Sequence, residues 1–300
     1  MWSAVPVQMP CGKKVMKLPV FFDRRMVVDI ELESPSPKKP LEVVEQWRER
    51  YAIELHDFPP LTTKDFDLAH KPEHVRGVIA LEIANGMFTK HQEVVDSLYW
   101  TTGSFFAAAE HALAHGVAVS PTSGFHHAGH DFSWGFCTFN GLLITAVKLL
   151  NSGKVKQVGI LDFDYHQGDG SQDIIEKLKL AERVLHRTGK IHYTREKQAF
   201  FEELPALLDS LQGVDLILYQ AGADQHENDP LGGFLNGEEL RRRDRAVFEF
   251  AKAKGIPLVW NLAGGYQEEK NEAGRSIQKV LDIHNATLEE CARVYGAGTH

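Results

Sequence analysis

The 300-residue sequence predicts a single α/β domain built on a mostly parallel β-sheet with helices on both faces. Three observations predict it. Short apolar runs rich in β-branched residues, at 117–119, 158–161, 214–219 and 256–262, have the length of strands buried on both faces and are too short for helices. Stretches of helical period lie between them, so strand and helix alternate as crossover units require. Each apolar run also empties into a polar cluster, and open parallel sheets bind ligands beyond the carboxyl ends of their strands.

Taken in order, residues 20–30, interrupted at Asp23 to Arg25, read as one or two short strands. Ser34, Pro35, Ser36, Pro37 and Pro40 break the chain, and residues 41–51 follow with helical period. Residues 57–63 read as loop. Beyond a turn at Lys71-Pro72, the apolar positions Val75, Val78, Ile79 and Leu81 fall at helical spacing. Residues 91–115 repeat apolar positions on one helical face, with Gly103-Ser104 placed to split or kink the element. Strand 117–119 leads to His126 and His127, then to a helix over 141–150. Helices over 171–179, 196–211 and 237–254, with a small strand at 183–185, complete the alternation. No linker, repeat or composition break divides the chain.

A hydrophobic content of 43% and a charged content of 25% describe an ordinary globular protein with material for a large core. The formal charge of -8 argues against a nucleic-acid-binding surface, and the basic run Arg241 to Arg243 is expected to be a solvated helix face. Cys11, Cys137 and Cys291 are too few and too scattered for a disulfide framework or a thiolate zinc ribbon, which points to a reducing compartment. The apolar run after Lys13, Lys14 and Lys17 is too short for a signal peptide, and no stretch has the length of a membrane span. A cytoplasmic location is expected.

The stretch from Val158 to Gly170 holds most of the chemistry. Side chains alternate along a strand, so Asp162, Asp164 and His166 share one face while Phe163 and Tyr165 share the other. Any one of these acids alone would be read as a solvated strand end. Four strand ends, bearing His126 and His127, Asp162 to Asp169, Asp224 and Tyr266, make a site the better reading. Asp164, His166 and Asp224 supply the three ligands of a catalytic zinc, which acidifies a water and polarises a carbonyl. His127 suits the general base and acid, Tyr266 the oxyanion donor, and Asp162 and Asp169 the carboxylates that fix the histidine tautomers. His111 and His115 lie four apart on one helical face without a further ligand nearby, and read as solvent-edge residues.

These motifs resemble the histone deacetylase family of the wider arginase/deacetylase fold, which includes bacterial acetylpolyamine amidohydrolases and acetoin-utilisation proteins. The resemblance is clearest over residues 66–266. It rests on His126-His127 with Gly135-Phe136-Cys137, the run from Asp162 to Gly170, Gly222-Ala223-Asp224 with Asp229-Pro230-Leu231-Gly232, and Gly264-Gly265-Tyr266. It implies Zn²⁺, with Fe²⁺ as the alternative, on Asp164, His166 and Asp224. It also implies His127 as base and acid backed by Asp169, His126 as electrostatic partner backed by Asp162, and Tyr266 on the scissile carbonyl. Gly135 and Phe136 would line a narrow tube for an acylated aminoalkyl chain, and a monovalent cation (K⁺) would sit on backbone carbonyls near Asp162 to His166.

The implied activity is metal-activated removal of an acetyl or other acyl group from a lysine side chain. Leu231, where polyamine-selective members carry glutamate, favours acyl-lysine over the alternative of acetylpolyamine or another small amide. The resemblance argues against a binuclear ureohydrolase, whose second-metal positions fall at Gly168, which has no ligand to give, and His226. A zinc-binding module without turnover is the non-enzyme alternative. The chain departs from the family at Gln167, at Ala263, in a short segment at 180–193 where His192 or Tyr193 would stand in for the second tube wall, and in residues 1–60. No oligomeric state follows from these residues.

Overall fold

The structure is a computed structural model that describes residues 16–188, 197–271 and 274–298. Its main strands are β1 (Leu18–Phe21), β2 (Ile53–His56), β3 (Val117–Ser120), β4 (Val158–Asp162), β5 (Val184–Arg187), β6 (Leu216–Gly222) and β7 (Leu258–Ala263). They form one sheet in the order β2-β1-β3-β7-β6-β4-β5, and every pairing in it is parallel. The predicted α/β class with a parallel sheet therefore holds. A short antiparallel pair, β8 (Glu269–Asn271) and β9 (Gly274–Ser276), stands apart from it.

The helices are α1 (Lys39–Arg50), α2 (Thr63–Phe66), α3 (Pro72–Ile79), α4 (Gln92–His115), α5 (Gly141–Asn151), α6 (Asp169–Lys177), α7 (Lys197–Asp209), α8 (Gly237–Lys254) and α9 (Gln278–Tyr295). Strand alternation sorts them into two layers. Val117, Ile217, Tyr219, Leu258 and Trp260 share one apolar cluster with residues of α1, α7, α8 and α9. Ala118, Ile160, Leu216, Leu218 and Val259 share the other with residues of α3 to α6. Burial on both faces explains why these strands read as unbroken apolar runs.

The structure corrects the sequence reading at five places. Only Leu18–Phe21 of the first region is strand, because Asp23 then accepts from the Arg25 amide at 2.8 Å and caps a short 3-10 turn. β2 escaped detection because it is an edge strand whose Glu54 and Leu55 face solvent, so it has no apolar run to read. α9 lies beyond the last motif and was not assigned. α4 is continuous through Gly103 and Ser104: a Cβ on Gly103 would lie 2.8 Å from the Pro59 carbonyl, so glycine serves a close crossing, not a break. Arg243 is no solvated residue but fully buried, its guanidinium on Asp244 at 2.8 Å and on the Gly222 carbonyl at 2.8 Å. Among the described residues no helix is long and apolar enough to cross a membrane.

Buried His70, just before α3, ties that region to the loop that carries His126 and His127. Its ring nitrogens reach the Gly129 carbonyl at 2.7 Å and the Asn140 amide at 2.8 Å, so the ring is neutral with Nδ1 donating and Nε2 accepting. Burial lowers its pKa to about 3. The unfolded chain takes up this proton near pH ~6.5 and the folded chain does not, so stability is lost as pH falls from there toward 3. The full shift is worth on the order of 5 kcal/mol. We expect the unfolding free energy from urea titrations to fall between pH 7 and 4, and a His70→Gln variant to show a slope shallower by about 1.4 kcal/mol per pH unit; equal slopes would remove His70 as a cause.

Candidate active site

The ends of β3, β7, β6 and β4 lie side by side, and the loops that leave them converge. Crossover helices force this arrangement, since each parallel strand must deliver its following loop at the same edge. Asp164, His166 and Asp224 meet there, with one ligand atom from each lying within 4.8 Å of the others. His166 Nδ1 is 3.1 Å from Asp164 Oδ1 and 3.1 Å from Asp224 Oδ2.

The two carboxylates are buried, and His166 is partly open to solvent. Burial, then the neighbouring Asp164 carboxylate, pushes Asp224 well above the usual carboxylate range. Hydrogen bonds to Asp164 and Asp224 raise the His166 ring to about 11. Protons thus hold together a set of donors whose charges would otherwise repel. A divalent cation fits the same place: ligands at the ~2.0–2.2 Å bond lengths of tetrahedral zinc lie about 3.3 Å apart, and the two contacts above match that spacing. Two oxygens and one imidazole nitrogen suit Zn²⁺ or Fe²⁺.

His126 and His127 flank the cluster with ring centroids 4.0 Å apart, and His127 lies 5.8 Å from the His166 ring. His126 Nδ1 is 2.8 Å from Asp162 Oδ2, and its Nε2 is 3.6 Å from Asp164 Oδ1. Burial opposes a charge on His126, but Asp162 and Asp164 outweigh it and raise the ring to about 9. His127 Nδ1 is 2.5 Å from Asp169 Oδ1. A carboxylate can only accept, so Nδ1 donates to it and Nε2 is the ring nitrogen left pointing away from Asp169. Burial acts to raise Asp169, yet the His127 hydrogen bond holds its carboxyl below the usual range. The loop is set by α5 and α6, with Asn140 Nδ2 donating to the Ala128 carbonyl at 3.0 Å and the Ser171 amide to the His126 carbonyl at 2.9 Å.

Tyr266 follows β7. Its amide donates to Asp229 Oδ2 at 2.8 Å, and the same carboxylate accepts from the Leu231 amide at 3.0 Å, so one acid ties the tyrosine to the loop bearing Leu231. Burial, then Asp164 and Asp224, pushes the Tyr266 phenol well above its ordinary value, which keeps it a donor. Phe136 stands 5.8 Å from the Tyr266 ring. Leu231 is exposed. Gly135 and Phe136 both have left-handed φ, at 55° and 63°. A Cβ on Gly135 would lie 2.5 Å from His127 Cδ2, so that turn admits only glycine. His192 and Tyr193 lie outside the described residues.

Gly264 presents the same kind of limit to the ligand cluster. Its φ is 52°, and a Cβ there would lie 2.5 Å from Asp224 Cγ. Gly264→Ala is expected to push Asp224 aside and weaken metal affinity by about 10- to 100-fold, the range seen when support for a ligand is lost. Competition against a chelator measures it, and unchanged affinity would show that the loop yields without moving Asp224.

Sequence reasoning missed several residues that shape this site. Lys39 is fully buried at the start of α1, and its Nζ donates to the Gly264 carbonyl at 2.5 Å, one step before the tyrosine turn. Burial lowers its pKa to about 8 although Asp224, Asp164 and Asp229 pull the other way. Gln220 Nε2 donates to Asp162 Oδ1 at 2.9 Å, and the buried His186 ring lies 4.0 Å from Asp162 Oδ2. Gln220 lies one residue beyond the apolar run read at 214–219 but inside β6, so a polar residue directly at the strand end was a usable signal. Lys39, inside a proline-rich breaker, offered none.

Sequence and fold are both similar to known proteins. Residues 34–201 and 197–283 match the histone deacetylase domain family. The chain is 30% identical over 209 residues to an acetylpolyamine amidohydrolase of Mycoplana ramosa, covering 60% of this chain and 58% of that protein. It is 26% identical over 202 residues to histone deacetylase 2 of Arabidopsis thaliana, covering 60% of this chain and 52% of that one. The chain thus spans little more than half of these two relatives. An acetylpolyamine aminohydrolase structure from Burkholderia pseudomallei superposes with a TM-score of 0.73 at 16% identity, over 93% of this chain and 99% of that one.

Proposed function

Since the chain belongs to the histone deacetylase family, we propose that it is a metal-dependent amide hydrolase that removes an acetyl or other acyl group from an acylated lysine side chain. Family membership supports the amide-hydrolase part. The observation behind the rest is the convergence of three ligand atoms, two histidine–carboxylate pairs and a tyrosine on one sheet edge.

In this reading Asp164, His166 and Asp224 hold Zn²⁺ or Fe²⁺. When bound, such an ion supplies acidification of a water and polarisation of the scissile carbonyl. His127, its Nδ1–H anchored on Asp169, takes a proton at Nε2 and returns it to the departing amine. His126, held on Asp162, stays cationic and lowers the cost of negative charge building between the histidines and the ligands. Tyr266 donates its phenolic proton in a hydrogen bond to the carbonyl oxygen. Phe136 walls the alkyl chain of the substrate, and the exposed Leu231, an apolar side chain with no charge to offer an ammonium, favours acyl-lysine over a polyamine.

The test is acetate release from an acetyl-lysine peptide by zinc-loaded protein, beside acetylated putrescine and spermidine. Release from the peptide in excess of the amines supports the reading. Release from the amines alone transfers the activity to acetylpolyamines, and none from either leaves a metal-binding module.

A further inference from the structure

The three most exposed large apolar side chains of the described residues are Trp134 (54%), Phe88 (50%) and Leu231 (49%). All three rim the candidate site. Leu231 sits on the loop that Asp229 ties to Tyr266, and the two aromatics continue a row of rings leading outward from it. Tyr266 and Phe136 are 5.8 Å apart, Phe136 and Phe88 5.9 Å at 75°, and Phe88 and Trp134 5.6 Å at 76°. Isolated exposed hydrophobics need no explanation, but three clustered at one mouth do.

The rings are held outward by structure that costs free energy. Phe88 and Phe136 both adopt left-handed φ, at 60° and 63°, which costs an L residue about 1–2 kcal/mol. Asn85 organises the Phe88 turn, its Oδ1 accepting from the Met87 amide at 2.9 Å while its carbonyl accepts from the Phe88 amide at 2.9 Å. Trp134 opens a second turn closed by reciprocal backbone bonds with Cys137 at 3.1 and 2.8 Å. Gly86 clamps the two turns together: a Cβ there would lie 2.2 Å from the Cys137 carbonyl oxygen, and its amide donates to Thr138 Oγ1 at 2.9 Å. Both aromatics are therefore preorganised and half in water.

We propose that Phe88 and Trp134 form a specificity shelf for the part of the substrate that carries the acylated amine, and that the shelf selects a carrier with a planar or apolar group next to the alkyl spacer. This inference rests on the amide-hydrolase reading above and narrows its substrate class. Continuity with the catalytic tyrosine places the shelf where a carrier emerges. Phe88, Trp134, Phe136 and Leu231 offer no carboxylate to pair with a second ammonium, so only the faces of the rings could hold one, and acetylspermidine is the competitor that tests the shelf. Aromatic faces favour planar partners by offset or edge-on contact.

The experiment compares acetyl-lysine peptides flanked by Trp or by Gly, with acetylspermidine, on the zinc-loaded full chain and on Trp134→Ala, Phe88→Ala and Leu55→Ala. We expect the Trp-flanked peptide to be favoured, and both shelf variants to reduce that preference about tenfold through KM, as lost binding of an unreacting group does. Trp134→Phe should restore it, and Leu55→Ala, on the distant edge strand, should not alter it. Turnover without flank preference, or a preference for acetylspermidine, overturns the shelf but leaves the hydrolase reading standing. No turnover of any substrate removes the hydrolase reading itself. A dimer seen by sedimentation and dissolved by Trp134→Ala would assign the rings to a second copy and overturn the shelf.

Discussion

Asp164→Ala is expected to abolish amide hydrolysis, by at least about 10³-fold, because the water acidification and carbonyl polarisation a bound metal supplies are lost with it. Asp164 gives one of three convergent ligand atoms, and its Oδ1 also accepts from the His166 amide at 2.9 Å. Removing it leaves His166 and Asp224, too few to retain an ion through dialysis. Burial still pushes Asp224 up, but the change removes the second cause, repulsion from Asp164, so the metal-free fold should not weaken in proportion. Metal content after dialysis, read with thermal unfolding, separates the two effects. Asp164→Asn keeps the acceptor for the His166 amide and removes the charge, and it should lose metal as well. Full metal content in both variants would place the ion elsewhere.

His127→Ala should lower kcat by about 10² to 10⁴-fold, the usual contribution of a positioned acid–base group, while metal content and stability stay near those of the parent. The side chain is partly open to solvent and its partner Asp169 is exposed, so its removal leaves no deeply buried polar group unpaired. Asp169→Asn should show a smaller loss, since the ring remains but its tautomer is no longer fixed by a carboxylate. Wild-type turnover in His127→Ala would sink its assignment as base and shift attention to His126.

The sheet and the convergence at its edge were legible because both follow from local signals. Buried parallel strands announce themselves as apolar runs, and polar clusters at their ends need only the crossover rule to be brought together. Asp164, His166 and Asp224 are such residues, and so are His126 and His127. What was not legible depends on contacts that sequence distance hides. Lys39 reaches Gly264 across 225 positions, and nothing in its proline-rich surroundings marks it as buried. Arg243 sits in a basic run that composition reads as solvated, and only the packing of α8 beneath the β6 end turns it inward. Nothing in the sequence around Phe88 and Trp134 marks the turns that hold them out. β2 failed for the opposite reason, having too little apolar pattern to register.

The sheet order has a consequence for how the chain is made. β7, the last strand of the main sheet to leave the ribosome, belongs between β3 and β6, two strands synthesised well before it. Until residues 258–263 emerge, β2-β1-β3 and β6-β4-β5 lack the strand that joins them in the finished sheet. Each set exposes an unpaired edge and apolar faces, the condition that favours edge-to-edge aggregation. Truncation after residue 255 should therefore yield an insoluble product even though all three ligand residues have been made. The completing strand also carries Gly264 and Tyr266 behind it, so closing the sheet and bringing Tyr266 to the candidate site are one event. Incomplete chains then have no means of partial activity.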